Sequence, residues 1–131
     1  MTETPFKLLV IDDDEDDLQI FCEAVDRIGP PVTCHASPKC IAAVEMLLSK
    51  TVAADMIFLD AYMNNMDGIE CLRFLKEHPA LSQIPVVMMA GIRNERLNEQ
   101  AMQLGALNYI QKPGDIKQMV KLIKSVLPFH V

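Results

Sequence analysis

The sequence predicts an α/β fold, a doubly wound five-stranded parallel sheet with helices on both faces. Apolar runs of strand length alternate with segments of helical periodicity along the whole chain. The runs are continuously apolar, as strands buried on both faces must be. The chain has 131 residues, half of them hydrophobic, and no linker, repeat or low-complexity segment. These properties fit a single domain over 1–131 with a core over about 6–128, large enough to fold without disulfides or a structural metal.

The elements follow in order. Phe6 to Ile11 is an apolar run closed by acids and reads as a strand. Leu18, Phe21, Cys22, Val25 and Ile28 recur at helical spacing until Gly29-Pro30-Pro31 stops the helix. Val32, Cys34 and Ala36 alternate as a short second strand. Ser37-Pro38 reads as a helix start, with Ile41, Val44, Leu47 and Leu48 as the buried face. Met56 to Leu59 is the third strand, ending at Asp60. After a loop rich in Asn and Met, Asp67-Gly68 opens a helix carrying Ile69, Leu72 and Leu75, which His78-Pro79 closes. Pro85 to Met89 is the fourth strand. Asn94 caps a helix with Leu97, Ala101 and Leu104, and Gly105 ends it. Leu107 to Gln111 is the fifth strand, and Ile116, Met119, Val120, Ile123 and Leu127 face the core from the last helix.

Bulk properties exclude several classes. A net charge of -6 argues against a nucleic-acid surface. No apolar run is long enough to span a bilayer. Met1 to Pro5 lacks the basic and apolar regions of a signal peptide, so a cytoplasmic chain is expected. Cys22, Cys34, Cys40 and Cys71 form no metal-ligand spacing, and in that compartment four reduced thiols are expected.

Three features sit at the carboxyl ends of predicted strands: Asp12-Asp13, Asp60 and Lys112-Pro113. Ligands of open α/β sheets bind outside those ends, where the strands gather residues distant in sequence. Clustered carboxylates repel unless a cation is present. Mg²⁺ meets that need, taking one or two carboxylates and several waters, and it bridges to a phosphoryl oxygen. A carboxylate is a competent nucleophile for forming an acyl phosphate, and a lysine adds charge for another phosphoryl oxygen.

Val10 to Asp14, Phe58 to Gly68 and Gly105 to Pro113 match, in order and spacing, the pattern of response regulator receiver domains of two-component signalling. The chain resembles that family over nearly its whole length, in the stand-alone form without an output domain. The resemblance implies a flavodoxin-like (βα)5 fold with strand order 2-1-3-4-5. It implies Asp60 as phosphoacceptor, and Mg²⁺ held by Asp13 and Asp60, by Asp12 through water and by the Tyr62 backbone carbonyl. It implies Lys112 as the phosphoryl contact and Tyr109 as an aromatic switch. Implied partners are a sensor histidine kinase or histidine phosphotransfer protein, and an unnamed downstream protein. Pairing of two copies through the fourth and fifth helices stays open.

The chain departs from the family pattern at two places. Ala90 replaces a Thr or Ser whose hydroxyl bonds the phosphoryl group, and Asn64 replaces a proline, which loosens the loop after Asp60. Gly91 leaves the site more open to water. Ala90 motivates a second reading, a degenerate receiver that docks without regard to phosphate. A third, an aspartyl phosphohydrolase, lacks its acid/base aspartate, since Tyr62 stands two residues after Asp60.

Plainer readings apply elsewhere. Asp14 to Asp17 is a charged helix start, and Asp67 is a helix cap. Met63, Met66, Met88 and Met89 are packing residues. Lys117, Lys121 and Lys124 form a solvated stripe, and His35, His78 and His130 share no catalytic or metal-binding spacing.

Overall fold

The structure, a computed structural model, describes residues 4–63 and 67–131. The readings made of Asn64, Met66 and the first three residues lie outside the described residues. Strands and helices alternate as β1 (Phe6–Ile11), α1 (Glu15–Ile28), β2 (Val32–Ser37), α2 (Cys40–Leu48) and β3 (Met56–Asp60). The order continues with α3 (Gly68–Glu77), β4 (Val86–Ala90), α4 (Glu95–Gln103), β5 (Asn108–Gln111) and α5 (Ile116–Val126). The strands form one parallel sheet in the order β2-β1-β3-β4-β5. Among the described residues, no helix is long and apolar enough to cross a membrane.

Side chains alternate across each strand, so a strand buried on both faces needs apolar residues at every position. On one face Leu9, Ile11, Ile57, Leu59, Val86 and Met88 pack with α2, α3 and Ala101 of α4. On the other, Leu8, Val10, Phe58, Val87 and Met89 pack with α1 and α5. The Phe21 and Phe58 rings lie 4.8 Å apart between α1 and β3. Burying each such side chain contributes about 1.5–3 kcal/mol.

Three expectations are corrected. Ser37 ends β2 rather than capping α2. The N-cap is Lys39, with no side-chain cap bond, and the Ser37 hydroxyl instead donates to the Lys39 carbonyl. Ile41 and Leu48 are 58% and 40% exposed, because α2 turns Cys40, Ala43, Val44 and Leu47 to the sheet. Cys40 and Cys71 form a disulfide rather than two thiols. Their helices bring the Cα atoms to 6.0 Å, a proximity that a separation of 31 residues does not reveal. Cys22 and Cys34 are free thiols, as expected.

Candidate functional site

The strand register brings the predicted site residues to one edge of the sheet. Ile11 lies beside Leu59, Asp60 beside Met89, and Ala90 beside Gln111. The residues that follow β1 and β4 therefore flank the end of β3, and Lys112 follows β5, one strand further out. Backbone bonds extend the alignment past the strands: Asp12 donates to the Ser37 carbonyl, Ala61 to Met89, and Lys112 to Ala90. Each chemical group thus leaves the sheet where its apolar run stops.

Carboxylate oxygens of Asp12, Asp13 and Asp60 all lie within 4.8 Å of one another. Asp12 and Asp60 are buried, and Asp13 is half-buried. The backbone orients two of them. The Asp14 N–H donates to Asp12 Oδ1 at 3.0 Å, and the Tyr62 N–H donates to Asp60 Oδ1 at 3.2 Å. Lys112 Nζ lies 2.7 Å from Asp12 Oδ2, 2.7 Å from Asp17 Oδ2 and 3.3 Å from Asp60 Oδ1. Gly68, at the start of α3, is pressed against the chain at Asp60. A Cβ there would meet the Asp60 carbonyl oxygen and stand 2.6 Å from Ala61 Cα.

Electrostatics follow from this crowding. Burial pushes the Asp12 carboxyl up to about 6, although its bond from Lys112 opposes the shift. Burial raises Asp60 as well, against the attraction of Lys112. Burial alone would lower the Lys112 ammonium, but hydrogen bonds to Asp12 and Asp17 hold it above its ordinary value. Four carboxylates therefore gather near one ammonium, and a hard divalent cation would relieve the excess charge. The cluster offers only oxygen donors, which suits Mg²⁺ or Mn²⁺.

The sequence model of the response regulator receiver domain matches residues 8–124. This chain belongs to that family. Its relatives include the chemotaxis protein CheY of Treponema pallidum, 31% identical over 94% of this chain and 83% of that protein. Several other matched relatives are longer, and the chain spans half or less of their length. The phosphorylated cyanobacterial phytochrome response regulator RcpA has the same fold, with a TM-score of 0.84 at 24% identity over 94% of this chain and 91% of that one. The Mn²⁺-bound form of the response regulator Rcp1 superposes with a TM-score of 0.80 at 23% identity, over 93% of this chain and 91% of that one. The chain is thus a phospho-accepting signalling module of the receiver type.

In this receiver domain the structure brings together Asp12, Asp13, Asp60 and Lys112, four residues singled out from the sequence. Tyr62 stands two residues after Asp60 and is half exposed. Ala90 is buried at the end of β4, and Gly91 beside it faces open space. Tyr109 is packed inward in the same apolar cluster as Ala90. Its buried hydroxyl makes no hydrogen bond among the described residues. Asp14 and Asp67 cap α1 and α3, as read. Asp17 was missed as a site residue. Its signal was its place in the first turn of α1, one turn after the strand-end acids.

Proposed function

We propose that Asp60 accepts a phosphoryl group from a phosphohistidine donor and that the phosphorylated domain signals by docking to another protein or by passing the group on. One observation carries this reading: the buried Asp60 carboxylate meets the Asp12–Asp13 oxygens and the Lys112 ammonium at the carboxyl edge of a parallel sheet. In the transfer an Asp60 oxygen bonds to phosphorus. The donor's phosphorus–nitrogen bond breaks, and the imidazole leaves carrying a proton. Lys112 supplies charge to one phosphoryl oxygen. Asp13, Asp60 and the Tyr62 carbonyl, with Asp12 through water, would hold Mg²⁺, and Mn²⁺-bound Rcp1 is a precedent for a divalent cation on this fold. When bound, the cation draws charge from the phosphoryl oxygens. The domain in this reading speeds only its own phosphorylation and dephosphorylation. A sensor histidine kinase or phosphotransfer protein would be the donor.

Phosphoramidate with Mg²⁺ is expected to label the wild type, as read by intact mass, and to leave Asp60→Asn unlabelled. Equal labelling of both would sink the assignment. Ala90 offers the phosphoryl group no hydroxyl, yet Tyr109 is packed inward beside it. The signal therefore leaves without a hydroxyl at position 90. Adding beryllofluoride, a phosphoryl mimic, is expected to change affinity for the downstream partner. An unchanged affinity would favour a phosphate-insensitive docking module instead.

A further inference from the structure

We infer that Asp17 is the resting partner of Lys112, a positioning residue that holds the ammonium at the rim of the site and releases it to the phosphoryl group on Asp60. The inference rests on the reading of Asp60 as acceptor.

An ammonium has three protons to donate. Lys112 faces three carboxylates, with Asp12 and Asp17 at 2.7 Å and Asp60 at 3.3 Å. The hydrogen bonds of the ammonium go to Asp12 and Asp17, while Asp60 meets it as an ion pair. Turning the ammonium onto a phosphoryl oxygen at Asp60 pulls it off one of those two carboxylates.

Burial decides which. The Asp17 side chain is 37% exposed, against 2% for Asp12 and 6% for Asp60. Water replaces the lysine at Asp17 at little cost. Removing it from Asp12 would strand a buried carboxylate. Asp60 is itself the atom group that changes. Asp17 also lies outside the group of acids suited to hold a metal. Its backbone is fixed independently, because its N–H donates to Oδ1 of the cap residue Asp14 at 3.1 Å. The carboxylate is thus presented from a rigid helix start and needs no rearrangement to let go.

Two consequences of opposite sign follow. The Asp17 charge partly neutralises Lys112 and adds to the field that attracts a cation. Losing it weakens Mg²⁺ binding. The same charge opposes an incoming anion and competes for its donor. Losing it strengthens the hold on a phosphoryl mimic once Mg²⁺ is saturating. A loss of local structure would weaken both.

The test uses the full chain as wild type, Asp17→Asn and Asp17→Glu. Mg²⁺ is titrated calorimetrically, and bound beryllofluoride is followed by fluorine NMR at saturating Mg²⁺. Asp17→Asn is expected to weaken Mg²⁺ by about twofold to fivefold and to tighten beryllofluoride by a similar factor, the range for a part-exposed charge pair. Asp17→Glu, which keeps the charge, is expected to stay near wild type in both. Unchanged affinities in Asp17→Asn, or both weakened together, would overturn the role of Asp17 while leaving Asp60 as acceptor. A wild type that binds neither ligand would overturn the acceptor reading and this inference with it.

Discussion

Gly68 packs so closely on Asp60 that the first carbon of any side chain would collide with the Asp60 carbonyl oxygen. The obstacle is backbone on both sides, because Ala61 Cα lies 2.6 Å from the same point and the Gly68 N–H donates to the Ala61 carbonyl at 3.0 Å. Helix α3 can start here only without a Cβ.

Gly68→Ala is therefore expected to cost about 1–3 kcal/mol, the range for overpacking a rigid contact. Urea denaturation gives the stability, and phosphoramidate labelling is expected to slow because Asp60 is displaced. A variant as stable and as quickly labelled as wild type would show that the contact yields freely.

Lys112→Met removes the cation from buried Asp12 and from Asp60. In metal-free buffer near neutral pH the loss is expected to be about 1–3 kcal/mol, somewhat below the figure for a fully buried pair. Excess Mg²⁺ should narrow the gap by supplying the missing charge. A gap equally wide with and without Mg²⁺ would count against a shared site.

The raised carboxyls give a pH dependence whose sign is opposite to that of an ordinary paired acid. Burial pushes the Asp12 carboxyl up to about 6 from an ordinary 3.8, and it raises Asp60 as well. Between those values the folded chain holds a proton that the unfolded chain has lost. Metal-free stability should thus rise as the pH falls from above 6 toward 4, by at most about 3 kcal/mol from Asp12. Saturating Mg²⁺ should flatten or reverse the trend, because a bound cation keeps the carboxylates ionised. Denaturation midpoints at several pH values, with Mg²⁺ and with a chelator, measure both.

Tyr109 is buried with its hydroxyl lacking a hydrogen bond among the described residues. An unsatisfied buried hydroxyl is a cost, so Tyr109→Phe is expected to leave stability unchanged or to raise it by up to about 1 kcal/mol. A clear loss in urea denaturation would mean that the hydroxyl is satisfied by a bound water.

The fold was legible because each strand carries its own signal. Ile57-Phe58-Leu59 can only lie between two covered faces, and Asp60 directly after them can only stand at the sheet edge. The acids and Lys112 were found by the same logic. What stayed hidden depends on helix phase and on neighbours. Ile41 and Leu48 have the right residue type, but α2 is rotated so that Cys40, Ala43, Val44 and Leu47 take the buried positions. The Cys40–Cys71 bridge needs α2 and α3 side by side. Asp17 sits in a run of acids that the helix dipole alone explains, and only the folded position of Lys112 separates it from its neighbours.

The pairing of Asp12 with Lys112 spans 100 residues of chain. A ribosome delivers the amino end first. The Asp12 and Asp60 carboxylates are therefore synthesised well before the lysine that contacts them. A growing chain that has not yet reached Lys112 carries Asp12 and Asp60 without that ammonium. A divalent cation bound among these acids would supply the missing charge to the incomplete chain.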